Sequence, residues 1–211
     1  MIFYVKSEIF SPKSVDIKRS GKDVTWLEDR KIIELFYQRS EQAIIELSRK
    51  YSPAIRKTAG NILKDMQDIE ECENDTYLGV WNTVPPQKPN PLISYVCRIA
   101  RNLSVKKYHS RTAKKRNSNY DLVLDELEEC IPSSIDVESE YAAKEISRAI
   151  SRFLETLSYD DRFCFVRRYW YADSVAEIAA MIHTDSRKIS VRLFRIRTRL
   201  HNYLKEEGLI E

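Results

Sequence analysis

The chain has 211 residues, a formal net charge of +3, 32% charged residues and only four glycines. That length allows one domain or two small ones, and no stretch approaches the roughly 20 apolar residues that span a bilayer. The apolar opening MIFYVKSEIF is interrupted by Lys6 and Glu8 and is followed by no small-residue cleavage site, so the chain is expected to remain in the cytoplasm. Cys72, Cys97, Cys130 and Cys164 are scattered, and with His109, His183 and His201 they form no zinc-ligand spacing; buried, reduced thiols and no metal or cofactor are expected. Charge is segregated. Arg98 to Arg116 holds eight basic residues and no acid, whereas Asp121 to Glu145 is strongly acidic, a pattern that points to a nucleic-acid ligand met by particular faces.

Residues 1–25 are of mixed character, with Pro12 and Gly21 marking loops, and form an N-terminal extension in which we read no function. A first helical domain is predicted over 26–116. Glu41 to Leu63 places Ile44, Leu47, Tyr51, Ile55 and Ala59 on one face, with Pro53 expected to kink or restart the helix and Ser52 as its cap. Asp65 to Trp81 follows, with Ile69, Cys72, Thr76, Val80 and Trp81 inward. After the loop of Pro85, Pro86, Pro89 and Pro91, one long helix is predicted from Leu92 to about Lys115. Residues 117–136 read as a flexible acidic linker with one helical turn at Leu122 to Leu127. A second domain, 137–211, has predicted helices at Glu138–Thr156, Tyr159–Trp170, Ser174–Ile182 and Ser186–Glu206, with Ser158 and Ser174 as N-caps and Glu177 completing a capping box. The fold class is all-α: two small helical domains, the C-terminal one a helix-turn-helix.

Three charged sites stand out. The last helix carries an apolar stripe, Ile189, Leu193, Ile196, Leu200 and Tyr203, and away from it Lys188, Val191, Arg192 and Arg195. With Ser186 capping the helix start, this suits entry into a DNA major groove; the alternative is a packed helical hairpin with solvated arginines. The second site places Tyr95, Arg98, Arg101 and Asn102 within about two turns, continuing into Lys106 and Lys107. An aromatic face beside cations suits single-stranded DNA, against a core tyrosine on an ordinary basic helix end. The third is the ridge Asp68, Glu71, Glu73, Asn74 and Asp75 backed by Tyr77, Leu78 and Trp81. It reads as a protein-docking face, with a solvated helix face or a divalent-metal site as alternatives.

The order of these parts resembles the bacterial RNA polymerase sigma factors of the sigma-70 family. Asp68–Trp81 is similar to part of their second region, Tyr95–Asn102 to the promoter-reading helix that follows, and Leu157–Leu200, with Ala176-Glu-Ile-Ala179 and Arg192-Leu-Phe-Arg195, to their fourth region. Two helical domains joined by a linker are similar to the extracytoplasmic-function-like group. The resemblance implies a non-enzymatic factor that binds core RNA polymerase at the beta-prime clamp helices and the beta flap, and reads promoter DNA. It implies core-binding roles for Asp68, Glu71, Asn74, Asp75, Leu78 and Trp81. Minus-ten reading falls to Tyr95, Arg98, Arg101, Asn102, Lys106 and Lys107, and minus-thirty-five reading to Ser186, Arg187, Lys188, Ser190, Val191, Arg192 and Arg195. An anti-sigma partner is also implied. The chain departs from the family pattern at Asn74 (usually glutamine), Tyr95 (tryptophan), Lys106 (aspartate) and His183 (a turn glycine). A stand-alone helix-turn-helix regulator is the alternative from the C-terminal motif, though it would call for a dimer interface. A nuclease-like enzyme holding Mg²⁺ on Asp68, Glu71 and Asp75 is another.

Overall fold

A computed structural model describes residues 27–111, 119–128 and 140–210; the expected N-terminal extension and both ends of the expected linker lie outside them. The described residues form nine α-helices and no strand. Helices α1 (Asp29–Tyr37), α2 (Gln42–Gly60), α3 (Met66–Thr83) and α4 (Leu92–Arg111) belong to one compact unit. Helices α5 (Asn119–Glu128), α6 (Glu140–Thr156), α7 (Tyr159–Phe165), α8 (Val175–Met181) and α9 (Ser186–Glu206) belong to the other.

The first unit is built on Ile32 and Phe36 of α1, Ala43, Leu47, Tyr51 and Ile55 of α2, Val80 of α3, and Leu92, Val96 and Ala100 of α4. These recur every three or four residues, so each helix turns one stripe inward. Asp29 ties α1 to α2, accepting from the Tyr51 hydroxyl and from Lys50 Nζ at 2.6 Å. Helix α2 continues through Pro53, so of the two outcomes expected there, a kink or a restart, the restart does not occur. Its buried face continues on both sides, at Tyr51 and Ile55, and that packing outweighs the one hydrogen bond that proline removes. Ser52 caps nothing; its hydroxyl donates to Glu73 Oε1 at 2.5 Å.

Helix α3 starts at Asp65, whose carboxylate accepts from the Gln67 and Asp68 amides at 2.8 and 3.2 Å. It then packs closely on α4. A Cβ added at Gly79 would lie 2.9 Å from Ile99 Cγ2, so a larger residue there would force the helices apart.

In the second unit, Ile146, Ala149, Ile150, Phe153 and Leu154 of α6 join Cys164, Ile178, Ala179, Ile189, Leu193, Ile196, Leu200 and Leu204 in the interior. The helix predicted over Tyr159–Trp170 divides: α7 passes into a π-helical turn, Val166–Trp170. The linker differs more. Instead of one turn, α5 is a ten-residue helix. Tyr120, Val123 and Leu127 are buried, and Glu126 accepts from Arg168 Nη2 at 2.6 Å, the Tyr169 hydroxyl at 2.9 Å and Arg197 Nη1 at 3.3 Å. Arg168 and Tyr169, consecutive residues of the π turn, thus reach the same carboxylate.

Candidate nucleic-acid interface and docking ridge

Helix α8 begins at Ser174, whose hydroxyl accepts from the Glu177 amide at 3.2 Å while the Glu177 carboxylate accepts from the Ser174 amide at 2.9 Å, the expected capping box. It ends at His183, which adopts φ 54°, with the Thr184 amide reaching back to the Ala179 carbonyl at 2.9 Å. That closure places a residue in the left-handed region glycine favours, which accounts for the turn position noted in the sequence. The cap of α9 is Asp185, not Ser186: its carboxylate accepts from the Arg187 amide at 2.7 Å, leaving Ser186 as the first helical residue.

With Ile189, Leu193, Ile196 and Leu200 buried, α9 leaves Ser186, Arg187, Lys188, Ser190, Val191 and Arg195 exposed together. Phe194, 59% exposed, belongs to the same outward face. It was not singled out from sequence, although an aromatic residue lying off the buried stripe was the available signal. Arg192 is only partly available: its Nε lies 3.5 Å from Asp161 Oδ1 and its Nη1 3.6 Å from Asp160 Oδ2, both on α7. Cys164 lies inward of it, and burial raises that thiol's pKa.

On α3, Glu71, Asn74, Asp75 and Leu78 are exposed at helical spacing and form one ridge, with Leu78 57% exposed. Two expected members of the ridge, Asp68 and Glu73, are corrected, and Trp81 behind it is only partly exposed. Asp68 is buried, 4% exposed, because it shares the inward face with Ile69 and Cys72. Trp81 is half-buried: Arg39 stacks over its ring at 5.4 Å and donates to its carbonyl at 2.6 Å, and Phe36 meets it edge-on. Glu73 turns inward and accepts from Ser52, Arg56 Nε and the Tyr77 hydroxyl, each at 2.5 Å. Burial acts to raise its pKa, but these donors together with the Arg56 charge outweigh that and hold it below the ordinary glutamate value.

On α4, Tyr95, Arg98, Asn102 and Lys106 lie along one side; Asn102 and Lys106 are exposed, whereas Tyr95 is half-buried against the core with the Arg98 guanidinium stacked on its ring at 4.9 Å. Arg101 is corrected: at 1% exposed it lies on the inward side with Cys97, Ala100 and Ser104, against α3, and does not join the outer patch. Lys107 is tied across to α3, its Nζ 2.5 Å from Glu71 Oε2 and 3.5 Å from Asp68 Oδ1. The Glu71 carboxylate raises the lysine pKa. Cys72, Cys97 and Cys164 are buried thiols; Cys130 lies outside the described residues. Among the described residues no cluster of three or more His, Cys, Asp or Glu could hold a metal, and no helix is long and apolar enough to cross a membrane.

A helix-turn-helix with an outward cationic face is the arrangement of a DNA-binding protein, and the same chain carries a basic helix and an acidic ridge in its other unit. The comparisons name the class. Two family models match, sigma-70 region 2 over residues 47–114 and sigma-70, region 4 over residues 147–200, together more than half of the chain. The chain belongs to the sigma-70 family, and it directs transcription initiation as a sigma factor. Its domains are those that bind core RNA polymerase and promoter DNA. A solved structure described as "Structure of CnrH in complex with the cytosolic domain of CnrY" is similar at 19% identity and TM-score 0.40, covering 84% of this chain and 97% of that one. No curated protein matches in sequence.

Proposed function

We propose that the ridge Glu71, Asn74, Asp75 and Leu78 docks on the beta-prime clamp helices of core polymerase, with Leu78 as the apolar anchor amid acids. The α4 face of Tyr95, Arg98, Asn102 and Lys106 takes the opened minus-ten strand. Asn102 and Lys106 are its exposed contacts, and Arg98 moving off the half-buried Tyr95 ring would free a cation for the backbone and an aromatic face for an unpaired base. The α9 face reads the minus-thirty-five duplex: Arg187, Lys188 and Arg195 reach guanines or phosphates, while Val191 and Phe194 suit thymine methyls. Arg192 serves first to fix α9 on α7.

Melting follows from binding. Bases captured by α4 gain stacking that the duplex denies them, so capture shifts the population toward open DNA without a nucleotide cofactor. The chain acts by binding rather than by chemistry, in the cytoplasm. Lys107 facing both Asp68 and Glu71 disfavours a divalent cation between them and supports the binding reading over the metal-enzyme alternative. Residues 115–146 between the two matched segments are too few for a further domain of usual size, which supports the extracytoplasmic-function-like reading. Contact of the second unit with the beta flap and control by an anti-sigma protein belong to the same proposal.

The observation that carries this reading is the exposed ridge on α3 beside an outward α4 face within one unit. Its test is co-elution of the purified chain with core polymerase. The Asp75→Arg, Leu78→Asp double variant should lose co-elution while keeping its melting transition; retained co-elution would move the docking surface elsewhere.

A further inference from the structure

The Lys107 ammonium stands at the boundary between the two surfaces of the first unit. It comes from α4, one helical step past the exposed Lys106, yet its Nζ rests 2.5 Å from the Glu71 carboxylate of the α3 ridge. Glu71 is 57% exposed at its side chain, so a partner can reach it; Lys107 is 16% exposed, held down by Glu71 and by buried Asp68 at 3.5 Å. The neighbouring charges differ in kind. Lys106 is exposed on the DNA side, and Asp75, a turn beyond Glu71, is exposed on the ridge side. Lys107 reaches from one to the other.

We propose that the Lys107–Glu71 pair couples the two binding events. In the free protein, each charge masks the other: Glu71 offsets a cation that α4 would present to the DNA backbone, and Lys107 offsets an acid that α3 would present to a cationic partner. A basic partner surface that takes Glu71 releases Lys107 toward phosphate. A strand that takes Lys107 leaves Glu71 to the partner. By linkage the two effects are equal in size. This rests on the reading given above, that α3 docks core polymerase and α4 meets single-stranded DNA.

The test is a double-mutant cycle on the full chain, with a labelled dT12 oligonucleotide as the DNA probe and core polymerase as the protein probe. Glu71→Gln should tighten dT12 binding roughly two- to fivefold, the scale of an exposed ion pair. In a Lys107→Met background the same change should leave dT12 affinity nearly unaltered. Reciprocally, Lys107→Met should tighten core binding by a similar factor, and only while Glu71 is present. Equal effects of Glu71→Gln in both backgrounds would show simple through-space repulsion and overturn the coupling. So would no effect in either. If no variant binds dT12, the DNA reading of α4 fails along with the coupling; binding without coupling removes this inference alone.

Discussion

Glu126 of the linker helix is bound in a fork by Arg168, whose Nη2 and Nε lie 2.6 and 3.2 Å from its two carboxylate oxygens. Through this pair a segment that composition marks as a strap becomes part of the second unit. Arg168 is itself buried and also donates to the Asp173 carbonyl at 3.0 Å, so the guanidinium joins α5 to the loop before the helix-turn-helix. Beside it, burial first and the Glu126 charge second raise the Tyr169 pKa, keeping the phenol neutral and donating.

Glu126→Ala is therefore expected to release α5 and to leave Arg168 without its main carboxylate. A cost of about 1–3 kcal/mol to the second unit's stability follows from losing charge-assisted hydrogen bonds at a buried site. Urea melts of the full chain measure it, and protease sensitivity near residues 119–128 should rise in the same variant.

Arg192 and Arg195 are predicted to behave differently. Arg195→Ala should cost about 1–3 kcal/mol at the upstream element and relax specificity at one base pair. Arg192, engaged by Asp160 and Asp161, should lose protein stability as well as affinity when changed to alanine. Binding to a set of single-base variants of the site, with melts in parallel, separates the two.

His183→Gly should stabilise the second unit by about 1 kcal/mol, since a side chain at φ 54° carries a left-handed penalty that glycine does not. Thermal melts check it. An unchanged or lowered midpoint would mean that the imidazole contributes more than the backbone strain removes.

Glu73 gives the first unit a pH dependence. Its pKa is lowered in the folded state, so its contribution is complete above the unfolded glutamate value and is lost as pH falls through the folded one. Glu73→Gln should cost about 1–3 kcal/mol at neutral pH, and the gap to the unaltered protein should narrow on acidification. Melts at neutral and acidic pH read this directly.

Much of this was legible from spacing. The ends of α9, the Ser158 cap and the Ser174–Glu177 box follow from residue order alone, because capping and helical periodicity are local. What was missed depended on neighbours that spacing does not reveal. Arg101 and Asp68 carry surface-type side chains, yet each sits on the side of its helix that α3 and α4 turn to one another. Pro53 signalled a kink or a restart, and packing on both sides carries the helix through it. In α5 the buried Tyr120, Val123 and Leu127 do keep helical spacing, but surrounding acids obscured it, and the Arg168 that receives Glu126 is 42 residues away.

On the reading proposed above, this chain turns core polymerase toward particular gene starts through two separate DNA faces. Transcription in vitro with core polymerase, the purified chain and fragmented genomic DNA, followed by mapping of transcript 5′ ends, tests it most directly. New start sites sharing two upstream sequence elements are expected, with Arg195→Ala weakening selection of the farther one and Tyr95→Ala that of the nearer. Core polymerase starting at the same positions with and without the chain would contradict it.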